Sequence, residues 1–143
     1  MSLDLIPLCT LTSTPAEAVD LGVTPSGQRY MVEILEAQWQ GERFRAHLKE
    51  GTVAADWLVI GPDGTGHIDI RLTLETDDGA LLYVEYQGRR DFTKVQEGID
   101  APVYITPRFE TSDERYLWLN KIQAVGKGML VGERRVYEVY ELR

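Results

Sequence analysis

A chain of 143 residues, 43% hydrophobic and 27% charged, is long enough for one domain with a buried core, too short for two, and unlike a disordered segment. Its 15 Lys and Arg against 23 Asp and Glu leave a net charge of -8, which sets the chain as a whole against phosphate backbones and anionic bilayers. Neither nucleic acid nor a membrane is therefore an expected partner. A single cysteine, Cys9, excludes an internal disulfide and fits a reducing compartment. No apolar run is long enough to span a bilayer, and no basic region with an apolar run opens the chain, so the expected setting is the cytoplasm.

In chain order, Leu3 to Thr12 reads as a strand that Pro7 confines to an edge, followed by a break at Ser13-Thr14-Pro15. Ala16 to Leu21 reads as a short strand or a helical turn, and Thr24 to Gly27 as a turn. Arg29 to Ala37 and Phe44 to Lys49 form an antiparallel pair around Gln40-Gly41-Glu42. Asp56 to Ile60 leads through Asp63-Gly64 into the most regular stretch of the chain. There Ile68, Ile70, Leu72 and Leu74 alternate with His67, Asp69, Arg71, Thr73 and Glu75, a period of two that segregates apolar and polar faces.

The next turn sets the register. A three-residue loop, Asp77-Asp78-Gly79 with Gly79 left-handed, places Leu74 opposite Leu82, Leu72 opposite Val84 and Ile70 opposite Tyr86. On the other face Thr73 meets Tyr83 and Arg71 meets Glu85, which predicts a cross-strand ion pair. A two-residue loop would mix polar and apolar residues on both faces. Arg89 to Ala101 reads as a surface loop or short helix, and Val103 to Thr111 as a strand. Ser112-Asp113-Glu114 reads as a helix start, and Tyr116 to Asn120 as a helical turn or two. Ile122 to Val125, a break at Gly126 to Gly128, Met129 to Val131, and Val136 to Leu142 complete the strands. The prediction is all-β: a single domain, residues 1–143, folded as one antiparallel β-barrel of about ten strands with one short helix near residues 113–120. A sandwich is the competing architecture.

Asp56-Trp57, Asp63-Gly64, Asp69-Ile70-Arg71, Leu74 to Gly79, Phe109-Glu110-Thr111 and Tyr116 to Asn120 resemble, in order and spacing, the domain-of-unknown-function family 3237, also called uncharacterised protein family 0311. Gly51 to Ala55 departs from the paired glycines that family members tend to carry before the Asp-Trp. The resemblance implies a compact antiparallel barrel similar to small ligand-binding barrels, and a fold able to host cyclisation or isomerisation.

Two readings of the polar face of the 67–75 strand stand. The alternation by itself turns the apolar set inward and leaves Asp69, Arg71, Glu75, Tyr83 and Glu85 on the outside. The resemblance, whose pattern holds Asp69 and Arg71 together, supports the reverse. Arg71, Tyr83 and Glu85 would then line a pocket inside the barrel, with Arg71 binding an oxyanion and Asp69 moving a proton. Glu110 is the second expected proton carrier. Asp56, Trp57, Trp118 and Asn120 are expected ligand contacts, Trp118 stacking on an aromatic ring and Asn120 hydrogen-bonding it, with both tryptophans as core and Asn120 as a helix cap the plainer alternative. His47, His67 and Cys9 lack metal-ligand spacing, and neither a phosphate loop nor a nucleophile elbow is present, so no metal and no cofactor are expected. The expected partner is a small organic ligand, aromatic or anionic. The alternatives are a cofactor-independent cyclase, isomerase or lyase in the same pocket, and a homodimer-forming structural module.

Overall fold

The computed structural model describes residues 1–143. It contains β1 (Leu5–Pro15), β2 (Val19–Thr24), β3 (Gly27–Gln40), β4 (Arg45–Leu48), β5 (Ala55–Ile60), β6 (Thr65–Thr76), β7 (Leu81–Asp91), α1 (Phe92–Gln96), β8 (Val103–Glu110), a 3-10 turn (Leu117–Lys121), β9 (Ala124–Val131) and β10 (Arg134–Leu142). Neither helix is long and apolar enough to cross a membrane. The strands run antiparallel in the order β1, β10, β9, β8, β7, β6, then β4 and β5, then β3, and β3 pairs back onto β1 to close the sheet. Eight strands make the barrel, with β2 and β4 additional. β4 bridges β3 and β6 toward one end and β5 bridges them toward the other. The predicted barrel is thus the observed one, and closure leaves few open edges.

The β6–β7 hairpin has the expected register, with Leu74 opposite Leu82, Leu72 opposite Val84, Ile70 opposite Tyr86 and Arg71 opposite Glu85. Gly79 carries the left-handed residue of the loop, at φ +91°. The charges pair differently from the expectation. Arg71 lies 3.8 Å from Asp69 on its own strand, and Glu85 is taken by Arg108 of β8. Other local readings also change. β1 runs unbroken through Ser13 to Pro15 by pairing with β3. β9 runs unbroken through Gly126 and Gly128, whose missing side chains make room for Ile105 and for the Tyr137 ring. Of the loop or short helix expected within residues 89–101, the helix forms over residues 92–96, started by the Asp91 carboxylate accepting the Thr93 amide at 3.0 Å. The helix expected near residues 113–120 is the shorter 3-10 turn.

The two barrel ends differ in what covers them. At one end the 3-10 turn seats Leu119, fully buried, and places Trp118 against Phe44, which meets Phe109, which in turn meets Trp39. These edge-to-face contacts, at centroid distances of 5.7 to 6.4 Å, close that end with an aromatic plug. The other end carries α1, the β2–β3 turn and the β5–β6 turn, which surround a cleft of about 810 Å³. Between the ends the interior is filled by Leu11, Ile70, Leu72, Leu82, Val84 and Ile105. An eight-stranded barrel is about wide enough for its side chains to fill.

Candidate functional site

The direction of β6 decides which side chains can meet a ligand in the barrel. Ile68, Ile70, Leu72 and Leu74 are buried and face inward. Asp69 and Arg71 face outward, with side chains 35% and 55% exposed. The pocket expected inside the barrel around Arg71, Asp69, Tyr83 and Glu85 is therefore corrected: these residues lie on the outer surface. The reason is desolvation. Turning a guanidinium and two carboxylates into an interior of this width would strip their water, while burying four aliphatic side chains instead is favourable. Outside, Tyr83 donates its hydroxyl proton to Glu85 at 3.0 Å, and Arg71 lies over the Trp57 ring at 5.8 Å. Trp57 is thus half-buried on the outer face and is not a core residue.

The remaining expected site residues are also accounted for. Glu110 is exposed on the outer face of β8. Trp118 stands between the plug and the Arg43 guanidinium, 5.0 Å from its ring. The Asn120 side-chain amide accepts from the Thr111 amide at 2.8 Å and donates to the Thr111 carbonyl at 2.9 Å, so it acts as a clamp between the 3-10 turn and the end of β8. These residues stay at the closed end or on the outside, away from the cleft.

Asp56 alone among them points inward, and it is 8% exposed. Its place follows from register. Val32, Asp56, Ile70 and Tyr86 are successive cross-strand partners on β3, β5, β6 and β7, so their side chains share the inner face. The same face runs along β5 through Leu58 to Ile60 and along β3 through Tyr30 to Gln28. Ile60, Tyr30 and Gln28 line the cleft. Asp56 therefore lies on the interior wall four residues inward of the cleft, roughly 13 Å along the strand.

The backbone around Asp56 is arranged to hold it there. Its Oδ1 accepts the Asp69 amide of β6 at 3.0 Å, and the Trp57 carbonyl of β5 accepts a hydrogen bond from the Arg29 guanidinium at 2.8 Å. A side chain and a guanidinium thus serve groups that a plain β5–β6 ladder would pair with each other. No arginine or lysine forms an ion pair with Asp56. Burial pushes its carboxyl up to about 6, the nearby Asp69 charge adds to the rise, and the Asp69 amide and Arg29 oppose it.

Three further polar side chains share this interior. Tyr86 is 1% exposed and its hydroxyl has no hydrogen-bond partner. Tyr137 is buried on β10, its ring lying over Gly128, and Arg135 occupies the preceding inward position of the same strand. One Arg135 nitrogen is buried without a partner. Burial raises both phenols, Tyr137 to about 12, and the Asp56 charge raises each further. Burial and the neighbouring Arg90 lower the Arg135 guanidinium. Arg90 itself is tied to Asp100 at 2.9 Å and to the Ala101 carbonyl at 3.2 Å. At neutral pH this interior holds one largely ionised carboxylate, two protonated phenols that feel its charge, and a guanidinium beside Tyr137. Tyr86, Tyr137 and Arg135 were missed by the reading of the sequence. Their signal was the period of two, which puts Tyr86 on the same face as Leu82 and Val84 of β7, and Tyr137 and Arg135 on the same face as Val139 of β10.

Comparison with known proteins agrees with this architecture. Residues 3–142 match the family described as "Protein of unknown function (DUF3237)". The UPF0311 protein RPA1785 of Rhodopseudomonas palustris is 29% identical over 144 residues, covering 93% of this chain and 92% of its own. Its crystal structure superposes with a TM-score of 0.89 at 27% identity, covering 100% and 99% of the two chains. A beta-barrel like protein (ABAYE2633) from Acinetobacter baumannii superposes with a TM-score of 0.85 at 31% identity, covering 100% and 98%. The fold extends to an enzyme from Penicillium herquei, with a TM-score of 0.73 at 20% identity, covering 99% and 94%.

Proposed function

For a chain that belongs to the DUF3237 family, we propose binding of a small, oxygenated organic molecule at the cleft end of the barrel. Asp56, Tyr137, Tyr86 and Arg135 form the polar wall for the ligand's oxygen atoms. The single observation that carries this reading is Asp56, an inward carboxylate that forms no ion pair and spends one oxygen on a backbone amide. Isolated buried charges are costly and are retained where they serve a ligand or a reaction. The cleft opens at the end of the same inner face, where Ile60 lines it, and Leu58 lies between Ile60 and Asp56, an apolar surface that suits a ring system.

The test is amide chemical-shift mapping with 4-hydroxybenzoate, 2-naphthoate and 2-tetralone as probes. Saturable shifts confined to Gln28, Tyr30, Leu58, Ile60 and Asp56, and weakened at least tenfold by Arg135→Ala or by an Ile60→Trp plug, are expected. Shifts confined to Arg71, Glu85 and Arg108 on the outer face would refute it.

Acid–base turnover on the same wall is the second reading. The observation in its favour is that Asp56 holds one oxygen on the Asp69 amide and leaves the other without a protein donor, while burial pushes the carboxyl up to about 6.

A further inference from the structure

The inner wall divides its chemistry in two, and that division names a reaction. On β5 stands the proton acceptor: Asp56 spends Oδ1 on the Asp69 amide and no protein donor takes Oδ2. Two strands away on β7, at the same level, stands the Tyr86 hydroxyl, buried and unpartnered. Two strand spacings put these backbones about 10 Å apart, and the Tyr86 ring stands edge-on to Trp39 at 6.0 Å. Tyr137 and Arg135 add a second phenol and a positive charge from β10. No serine, cysteine, lysine or histidine hydrogen-bonds Asp56, so the wall lacks the nucleophile–base pair of a hydrolase. It has what a proton transfer from carbon requires: a base on one side and donors for a growing negative oxygen on the other.

Resting on the reading of this barrel end as a ligand site, we infer that the wall enolises a small ketone or β-dicarbonyl compound, with Asp56 as base and the Tyr86 and Tyr137 hydroxyls holding the enolate oxygen. In the forward step the C–H bond beside the carbonyl breaks and its proton goes to Asp56 Oδ2. The C–H electron pair becomes the C=C bond, and the carbonyl π pair moves onto oxygen. That oxygen accepts the two phenolic hydrogen bonds, and Arg135 offsets its charge. Return of the proton from Asp56 to the same carbon regenerates the ketone, and its return to a conjugated carbon gives the isomer. Atoms and charge balance without an oxidant, a reductant or a co-reactant. The raised phenols remain donors throughout the neutral range. The charged and titratable groups that act on Asp56 or feel its charge are Asp69 on β6, Arg29 on β3, Tyr86 on β7 and Tyr137 on β10, so the pH profile of the reaction is that of Asp56 in this setting.

The experiment follows deuterium entry at C1 of 2-tetralone in D2O by proton NMR, with binding read by saturation transfer on the same samples. The expected result is saturable exchange above the buffer rate, rising with pH through about 6 and then level. Asp56→Asn lowers the exchange rate by about 10²-fold or more while the probe still binds. Tyr137→Phe and Tyr86→Phe each lower it by roughly 10- to 100-fold without moving the pH midpoint. Arg71→Ala leaves it unchanged. A probe that binds but exchanges no faster than in buffer overturns enolisation and leaves the binding site standing, and so does undiminished exchange in Asp56→Asn. A probe that neither binds nor exchanges removes both.

Discussion

Two acids of this barrel have nearly the same solvent exposure, Asp56 at 8% and Glu141 at 7%, and their environments push them in opposite directions. Glu141 lies toward the plugged end, where Arg43 reaches one oxygen at 2.5 Å and Arg143 the other at 3.0 Å. The Arg143 and Arg43 guanidiniums hold its carboxyl below the usual carboxylate range. Asp56 lies inward of the cleft, meets one backbone amide, and is pushed up to about 6. Asp56 sits deep in the barrel and is dominated by desolvation, whereas Glu141 lies near the surface and is dominated by its arginines, so depth and partner together set the outcome. A carboxylate neutralised by arginines contributes to the fold. One left without an ion pair costs stability, and a single backbone amide returns only part of that cost.

That contrast can be broken by exchanging each acid for its amide. Asp56→Asn keeps an oxygen for the Asp69 amide and removes the buried charge. Because its folded pKa is raised above the unfolded value near 4, the penalty is absent at low pH. It builds as pH rises from about 4 to 6 and is constant above. The variant should match the wild type near pH 4 and be more stable by ~2–3 kcal/mol at pH 7.5, worth roughly 5–10 °C in thermal midpoint. Glu141→Gln should do the reverse. Its depressed folded pKa means a contribution present above the unfolded value and lost as pH falls, so the substitution should cost about 1–2 kcal/mol at pH 7.5 and little at acid pH. Both of its arginine partners reach solvent, which keeps the figure below that of a fully buried pair.

Tyr86→Phe sharpens the comparison further. The hydroxyl it removes is buried without a partner, so denaturant midpoints should be unchanged or up by ~1 kcal/mol. The smallest effect belongs to Arg71→Ala. Its guanidinium is exposed and 3.8 Å from Asp69, so the change should stay within about 0.5 kcal/mol by chemical denaturation.

The β6–β7 hairpin was legible to the residue, because a left-handed Gly79 and strict alternation allow one register that separates the faces. The barrel followed from short strands between tight turns. The inner wall was legible only in part. Asp56 was singled out together with Trp57, yet neighbours in a strand point to opposite faces, so both could not line one pocket. Tyr137 and Arg135 come together with Asp56 only through closure of the sheet, which sets β10 across the interior from β5. Alternation within one strand holds no information about that. The glycines of β9 read as a break because glycine weakens a strand, whereas here Gly128 accommodates an aromatic ring from the next strand.

The most direct measurement is a carbon-13 NMR titration of the side-chain carboxyls in the intact protein. The account predicts an Asp56 midpoint at about 6, with Glu141 titrating below the ordinary glutamate range in the same spectra. An Asp56 midpoint near 4, alongside the exposed aspartates, would show that its charge is solvated or paired and would contradict the polar wall on which the proposed function rests.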